Sequence, residues 1–304
     1  MRKARCPLRA AAFALLVAWC ALGHAAISVQ DDAGKLVLLA RPAQRVISMS
    51  PHVTELLFAA GAGARIVGAM NFSDYPEAAK AIPLIGSNNQ IDLERVIALK
   101  PDLLIVWQSG NSARQLEQLS RLGVPLFYSE PRKLDDVADS LLRMGQLMGT
   151  EHIALPAAAA FRRKIAALGS KYSRRPPVRV FYQIWDKPLY TLNGQHIVSD
   201  ALALCGGVNI FAGLSVVAPA VSIEAVLQAD PEAIFGPDQH DQHDQHDLRD
   251  AGINLWKPYT TLLAVRRGNL FTLGGELPTR AGPRMAEGAA RMCEKLEQAR
   301  QRRR

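Results

Sequence analysis

The sequence predicts an α/β fold in which two lobes, each built on a parallel sheet, are joined by one helix. Two observations predict it: strands and helices alternate in two separate parts of the chain, and a stretch that predicts a short helix, a proline and an apolar strand is repeated. The stretch "IDLERVIALKPDLLIVW" (91–107) has a counterpart, "VSIEAVLQADPEAIFG" (221–236), at a spacing of 130 residues. The strands are almost continuously apolar, which is typical of parallel sheets covered on both faces. We therefore expect two Rossmann-like lobes with a single rigid linker helix between them.

The first lobe is predicted at residues 26–150. It begins with "ISVQDDAGKLVLL", a hairpin in which apolar residues alternate on both sides of Asp-Ala-Gly. Four strands follow, at "RVISMS", "RIVGAM", "DLLIVW" and "PLFYSE". Helices are predicted between and after them, at "PHVTELLFAAGAG", "IDLERVIAL", "ARQLEQLSRLG" and "LDDVADSLLRMGQLMG".

The linker helix is predicted within residues 151–173, and the second lobe at 174–304. Pro156 to Lys171 has a proline at a plausible first helical position and a run of alanines, which predicts a helix of about 16 residues, roughly 24 Å long. The alternation then restarts, with strands at "VRVFYQIW" and "EAIFG" and helices at "HIVSDALALCGG" and "IEAVLQA".

Residues 1–25 have the features of a secretory signal peptide. Four basic residues lie in the first nine, an apolar segment too short to span a membrane follows, and "GHAA" offers a cleavage site near Ala25. A lipoprotein anchor at Cys20 is the alternative, although Trp19 is an unfavourable neighbour for a lipidated cysteine. No later apolar run reaches the roughly 18 residues of a membrane helix. We expect a soluble, monomeric, periplasmic protein.

The formal net charge of +8 does not indicate a nucleic-acid partner. Four of the positive charges lie in the signal region and four in the tail (Arg300, Arg302, Arg303 and Arg304), so the rest of the chain is neutral. A neutral body without an aromatic-basic motif lacks the usual features of nucleic-acid binding. The basic tail is expected to be a frayed, solvated end.

Two cysteines remain outside the signal region, Cys205 and Cys293. In an oxidising compartment such a pair is read as one disulfide. Two buried free thiols are the alternative.

Each copy of the repeat contains a recognisable helix start. Asp92 and Ser222 occupy N-cap positions, and Glu94 and Glu224 follow in the first turn. On the repeat alone, the simpler interpretation is that each carboxylate stabilises its helix dipole by about 0.3–1 kcal/mol. A matched pair of exposed carboxylates is also suited to docking on a partner.

Three segments resemble a known family: "RVISMSPHVTELLFAAGAGARIVGAMNFSDYP", "LERVIALKPDLLIVW" and "LCGGVNIF". They resemble the periplasmic substrate-binding proteins of ABC importers with a helical hinge, and among these the cobalamin-binding members. The resemblance implies a ligand in the cleft between the lobes, and docking of Glu94 and Glu224 on the arginines of a dimeric permease with its ATPase subunits. It also supports a disulfide between Cys205 and Cys293.

The resemblance also implies a set of ligand-binding residues. The family's aromatic walls and charged groups fall on Phe72, Trp107, Tyr190, Glu276 and Arg280. Two tryptophans of the family fall on Asn88 and Ala218 here, which leaves room for cobinamide or another planar tetrapyrrole. Each aromatic residue could instead belong to the core.

Histidines raise the question of metal binding. The run "DQHDQHDQHD" spaces His240, His243 and His246 three residues apart, a pattern that could capture a transition metal ion, but a solvated low-complexity loop is the simpler interpretation. No specific metal site is predicted. His52 follows the first strand of the first lobe, where a neutral imidazole could ligate the cobalt or iron of a bound ring, or simply begin a helix.

No motif predicts an enzyme. "GAGARIVG" has Ile66 where a dinucleotide fingerprint requires its third glycine, and neither a Walker A loop nor a G-x-S-x-G elbow is present. The sequence therefore predicts a binding protein without a cofactor that delivers cobalamin or cobinamide to an ABC importer. The alternatives are a haem, ferric-chelate or metal-ion carrier of such an importer and, in another class, an exported α/β enzyme.

Overall fold

Two parallel sheets form the centres of two lobes in the computed structural model, which describes residues 26–88, 90–237, 252–274 and 280–303. The predicted fold class is therefore confirmed. The strands are β1 Ile27–Gln30, β2 Leu36–Leu39, β3 Val46–Ser48, β4 Ile66–Ala69, β5 Leu103–Trp107, β6 Leu126–Ser129, β7 Val178–Tyr182, β8 Trp185–Asp186, β9 Leu189–Tyr190, β10 Gly207–Asn209, β11 Ala233–Phe235 and β12 Leu270–Phe271. The α-helices are α1 Pro51–Ala59, α2 Leu93–Ala98, α3 Ala113–Ser120, α4 Leu134–Met148, α5 Glu151–Tyr172, α6 Ile197–Leu204, α7 Ile223–Ala229, α8 Leu263–Arg266 and α9 Met285–Gln301. Short 3₁₀ helices lie at Gly63–Arg65, Glu77–Ala81 and Gly252–Trp256.

The two sheets have the same strand order. In the described residues, the first is ordered β4-β3-β5-β6 and the second β10-β7-β11-β12, with every neighbouring pair parallel. Strands β5 and β11 end the two copies of the sequence repeat, and they pair with the equivalent strands β3 and β7. The repeat therefore corresponds to one structural unit used once in each lobe. The predicted N-terminal hairpin is also present, as the antiparallel pair β1–β2.

Alternate side chains of the central strands pack on opposite faces of each sheet. In β5, Leu103 and Ile105 belong to one buried cluster, whereas Leu104 and Val106 belong to another on the outer face. The first of these clusters is continuous: it extends through the linker helix at Ala158 and into the second lobe at Val180. The lobes therefore share one hydrophobic core.

The linker helix α5 begins earlier than the sequence predicted. It has 22 residues, about 33 Å at 1.5 Å per residue, and Pro156 lies inside it and not at its first position. The start is determined by packing, because Ala154 is fully buried against α4 at Gly145, where an added Cβ would lie 2.4 Å from the Ala154 methyl group. This contact fixes the first turn before the proline, whose missing N–H costs one hydrogen bond near the helix start.

The prediction of a frayed basic tail was wrong. Helix α9 continues to Gln301, and Arg300 is buried, with its guanidinium donating to the carbonyl oxygen of Cys205 at 2.6 Å. Arg303 donates to both carboxylate oxygens of Glu232 at 2.8 Å. The arginines fold back on the second lobe because carbonyl and carboxylate acceptors lie there.

A disulfide joins Cys205, at the end of α6, to Cys293 in α9, as the sequence predicted. None of the helices in the four described ranges is long and apolar enough to span a bilayer. The residues proposed as a signal peptide, 1–25, lie outside the described part of the chain.

Candidate ligand-binding site

A cavity of about 690 Å³ lies between the lobes. All four strands of the first sheet point their carboxyl ends at it, since its lining includes residues that follow β3, β4 and β6 and the last residue of β5. The second lobe closes the other side with the start of α6, Val217 and the segment that leads into α9. This is where open α/β sheets bind ligands.

Trp107 forms a wall of the cavity and is held in place from two sides. Its ring meets the His52 ring edge-on, with centroids 5.5 Å apart and an interplanar angle of 79°. Gly110 lies against the indole so closely that an added Cβ would be 1.8 Å from Trp107 Cε3. Asn111 accepts a hydrogen bond from the Trp107 backbone N–H at 2.8 Å. The indole is therefore pre-positioned at the end of β5.

His52 lines the cavity but is almost fully buried. Its Nδ1 lies 2.7 Å from the Ser50 hydroxyl and its Nε2 lies 3.5 Å from that of Ser129. Burial, helped by the positive charge of Arg280, lowers the pKa of His52 to about 3. The imidazole is therefore neutral at neutral pH, with a hydroxyl partner for each ring nitrogen.

Phe72 and Arg280 connect the lobes at the edge of the cavity. Phe72 has a φ of +67°, a left-handed conformation that is uncommon for a non-glycine residue, and the residue is 47% exposed. Its carbonyl oxygen accepts a hydrogen bond from Arg280 Nη2 at 3.1 Å. Arg280, from the segment before α9, thus fixes the backbone that presents the phenyl ring to the cavity.

The Arg280 guanidinium belongs to a cluster of charges between the lobes. Its Nη1 lies 2.7 Å from Asp74 Oδ1 and 3.4 Å from Glu55 Oε1, and Arg284 Nε donates to Glu55 Oε2 at 3.0 Å. Burial alone would raise the pKa of Asp74, but the hydrogen bond and charge of Arg280 lower it below its ordinary value. We call Glu55, Asp74, Arg280 and Arg284 the inter-lobe ion cluster.

His196 lines the cavity from the second lobe and begins α6. Its Nδ1 accepts a hydrogen bond from the Val198 backbone N–H at 3.2 Å, which makes it the N-cap of the helix. Burial lowers its pKa to about 4. Histidine is an unusual N-cap residue, so no capping signal can be recognised at this position from the residue type.

The remaining predicted ligand residues are placed as follows. Asn88 is exposed and lines the cavity, and Ala218 is exposed beside the lining residue Val217. Tyr190 is half-buried in the β8–β9 hairpin and is not among the lining residues in the described part of the chain. Glu276 and the histidines His240, His243 and His246 lie outside the described residues, so their roles stay predictions.

Glu94 and Glu224 lie at equivalent exposed positions in the first turns of α2 and α7. Both predicted N-caps are observed: Asp92 accepts from the Arg95 N–H at 2.9 Å, and Ser222 from the Ala225 N–H at 3.2 Å. The backbone N–H at its own position and the Ser222 hydroxyl lower the pKa of Glu224. Each helix precedes a parallel strand, so its start faces the same sheet edge as the cavity.

The sequence model of the periplasmic binding protein family matches residues 46–277. The chain belongs to this family. A vitamin B12-binding protein of Vibrio vulnificus (strain CMCP6) is 35% identical over 267 residues, which cover 88% of this periplasmic binding protein and 94% of the relative. The vitamin B12-binding protein of Yersinia pestis (strain Pestoides F) is 37% identical over 261 residues, covering 86% and 89%.

The fold is similar to that of a solved member of the family. The crystal structure of the periplasmic vitamin B12-binding protein BtuF of Vibrio cholerae matches with a TM-score of 0.77 at 35% identity, covering 85% of this chain and 98% of that one. The resemblance to cobalamin-binding members of the family, predicted from three short segments, is therefore confirmed. Among the described residues, no group of three or more His, Cys, Asp or Glu side chains could hold a metal ion.

Three residues at or near the cavity were missed by sequence reasoning: Glu55, Asp74 and His196. Glu55 and Asp74 pair with arginines of the other lobe, and His196 pairs with the backbone of its own helix. Neither kind of contact can be predicted from a local sequence pattern. One signal was available for His196, because "HVTELL" and "HIVSDAL" both place a histidine at the start of an apolar helix. The structure shows these to be α1 and α6.

Proposed function

We propose that the protein captures a corrinoid, cobalamin or cobinamide, in the cavity between its lobes and delivers it to an ABC importer of the inner membrane. The observation that carries this proposal is the cavity itself, in a chain whose relatives bear the name vitamin B12-binding protein. In this role the protein binds and releases its ligand unchanged and is not an enzyme.

The lining of the cavity supports a flat ligand that is apolar on its faces and polar at its edge. Phe72 and Trp107 offer aromatic surfaces, which bury large apolar rings well. Arg280 and Asn88 offer hydrogen-bond donors, and Asn88 also offers an amide oxygen. A corrin ring carries amide groups around its edge, so these side chains complement it.

The differences from the family's aromatic pattern favour binding of more than one corrinoid. At Asn88 and Ala218 the cavity edge carries an amide and a methyl group in place of two indoles. Less ring surface is then available for stacking, and more space is left at the rim. We therefore expect the cavity to bind both cobalamin and cobinamide.

Export and docking complete the proposed role. Removal of residues 1–25 as a signal peptide would release a soluble monomer into the periplasm. Glu94 and Glu224 would each meet arginines of one half of the dimeric permease, whose ATPase subunits supply the energy. Exposed charge pairs give fast, oriented association without permanent adhesion.

Titration of the purified mature protein tests the ligand assignment. Isothermal titration calorimetry would be run with cyanocobalamin, dicyanocobinamide, haemin and zinc chloride in parallel. We expect one corrinoid molecule to bind per protein chain. Clean one-to-one binding of haemin or zinc, with no heat from either corrinoid, would contradict the proposal.

A variant pair tests whether the cavity is the site. Trp107→Ala removes an aromatic wall and should weaken corrinoid binding more than tenfold, since buried aromatic anchors contribute strongly to affinity. Leu155→Ala removes an exposed apolar side chain on α5 outside the cavity lining and serves as the control. Equal affinities of both variants and the wild type would place the site elsewhere.

A further inference from the structure

We propose that His196 contacts the ligand and contributes to its specificity, by donating a hydrogen bond from Nε2–H to a carbonyl oxygen on the rim of the bound corrinoid. This inference rests on the proposed function, because it concerns the same cavity. The inference adds a polar ligand contact from the second lobe. None of the ligand-binding residues predicted from the sequence lies at the start of α6.

The tautomer of His196 follows from its position at the start of α6. Nδ1 accepts the Val198 backbone N–H at 3.2 Å, so Nδ1 carries a lone pair and no proton. In a neutral imidazole the proton then resides on Nε2. The positive end of the helix dipole also favours an acceptor at this point and disfavours an imidazolium.

Burial keeps the imidazole of His196 neutral. Its environment is largely desolvated, which lowers its pKa to about 4. Asp200, in the first turn of the same helix, is engaged by the Leu134 backbone N–H of the first lobe at 2.8 Å. Arg280 contributes positive charge to the same cavity. His196 is therefore a fixed, uncharged donor at neutral pH.

The Nε2 atom of His196 has no hydrogen-bond partner among the residues that the structure describes. Its counterpart His52, at the start of α1, has both nitrogens within reach of serine hydroxyls, those of Ser50 and Ser129. His196 is only partly buried and its Nε2 is not sealed from solvent, so water can reach this donor while the cavity is empty. A ligand that displaces the water has to offer an acceptor to Nε2, and a ligand that offers none is disfavoured.

The polar groups on this side of the cavity select for acceptors. Arg280 can only donate hydrogen bonds, and His196 in its fixed tautomer offers only a donor to the cavity. Amide carbonyl oxygens on the rim of a corrinoid match both. A ligand that presents only hydrogen-bond donors at this edge would offer no acceptor to His196 Nε2.

Two substitutions separate the ligand contact from the capping role. His196→Ser retains an N-cap acceptor, because serine is a favoured N-cap residue, but its short side chain cannot reach the ligand. His196→Ala removes the cap and the donor together. We expect both variants to bind cyanocobalamin about three- to tenfold more weakly than the wild type, as one hydrogen bond of about 0.5–1.5 kcal/mol predicts. Thermal unfolding of each variant checks that the fold is retained.

The affinity of His196→Ser for cyanocobalamin distinguishes the ligand contact from the capping role. Wild-type affinity in this variant, with weaker binding only in His196→Ala, would show that the histidine serves the helix alone and would overturn the inference. If the wild-type protein binds no corrinoid, the proposed function and this inference both fail. If the wild-type protein binds a corrinoid and both variants bind it with the wild-type affinity, only the inference fails.

Nuclear magnetic resonance gives a second readout. In ¹⁵N-histidine-labelled protein at pH 7, the His196 signals, assigned by their loss in His196→Ser, should show a protonated Nε2 and an unprotonated Nδ1. Addition of cyanocobalamin should slow exchange of the Nε2 proton with water. A protonated Nδ1, or an Nε2 signal unaffected by bound ligand, would contradict the proposed contact.

Discussion

Arg280 of the second lobe lies 2.7 Å from Asp74 of the first, and the same guanidinium lines the ligand cavity. Together with the pair formed by Glu55 and Arg284, this contact ties the lobes at the cavity edge, independently of the linker helix. Lobe separation and the shape of the ligand site therefore depend on the same four side chains.

The inter-lobe ion cluster should be sensitive to the loss of Glu55, whose side chain is only 2% exposed. Glu55→Gln leaves two arginines facing a neutral amide, and breaking a buried ion pair typically costs about 3–5 kcal/mol. We expect the free energy of unfolding, measured by urea denaturation, to fall by about this amount. Glu77→Gln, at a carboxylate that is 84% exposed, is the control and should change it by less than about 0.5 kcal/mol. Equal effects of the two changes would mean that the cluster does not hold the lobes together.

The close contact of Gly110 with Trp107 predicts a steric effect on binding. Gly110→Ala would place a methyl group within the volume of the indole and displace the ring from the cavity wall. We expect corrinoid affinity to fall about tenfold or more in a calorimetric titration. Gly213→Ala is the control, because a Cβ there meets nothing within 4 Å. Unchanged affinity in Gly110→Ala would show that the position of the indole does not matter to the ligand.

Docking through the two repeated glutamates predicts a separation of binding from transport. The double change Glu94→Gln and Glu224→Gln removes both exposed charges without disturbing the N-caps, so corrinoid affinity should equal that of the wild type. Uptake into vesicles that contain the permease and its ATPase should fall at least tenfold. A double change at two other exposed carboxylates, Glu77→Gln and Glu117→Gln, should leave uptake intact. Normal uptake by the first double variant would exclude the docking role.

The two cavity histidines predict loss of stability in mild acid. Burial lowers the pKa of His52 to about 3 and that of His196 to about 4, both below the ordinary value of 6.5. The folded state therefore resists protonation that the unfolded chain accepts, so stability is complete above pH 6.5 and falls as the pH decreases towards 4. Each histidine contributes a slope of up to about 1.4 kcal/mol per pH unit.

Urea denaturation between pH 7 and pH 5 measures this slope, because carboxyl groups with ordinary pKa values stay mostly ionised in that range. His196→Ser should flatten it, whereas replacement of the exposed His152 by glutamine should leave it unchanged. A free energy of unfolding that is constant over this range would contradict the burial of two neutral imidazoles.

The disulfide predicts a large stabilising effect, because Cys205 and Cys293 are separated by 88 residues. Closing a loop of this length removes chain entropy from the unfolded state worth about 4–5 kcal/mol in the entropic description. Urea denaturation with and without reductant should show a loss of about 2–5 kcal/mol. The double change Cys205→Ser and Cys293→Ser should be less stable and insensitive to reductant. A difference below about 1 kcal/mol would contradict the expectation.

Most of the fold could be predicted from the sequence because it depends on local signals. Apolar runs of strand length, N-caps at Asp92 and Ser222, and the repeat itself each constrain one element and its place in a sheet. The start of the linker helix could not be predicted, since the contact of Ala154 with Gly145 outweighs the usual preference of Pro156 for a first turn. Propensity is a weak guide where tertiary packing opposes it.

The site was predictable mainly where the resemblance to the family named a residue. The resemblance placed Trp107 in the cavity wall, and the position of Trp107 at the end of an apolar strand, before a polar loop, agrees with that. Glu55 carries no such signal, because its carboxylate lies on a helix and is neutralised by arginines more than two hundred residues later. His196 was missed for a related reason. Its role depends on which ring nitrogen accepts the backbone hydrogen bond, and this tautomer cannot be predicted from the sequence.

The buried cluster that extends from β5 through α5 to β7 determines how the cleft can open. In a protein whose halves meet only through flexible strands, opening costs little and the halves move as independent bodies. Here any opening of the cleft disturbs the packing of side chains in the shared core. The energy of the protein therefore rises as the lobes separate, and this favours their return once the external force is removed. We therefore expect release of the ligand to require mechanical work by a partner that binds both lobes.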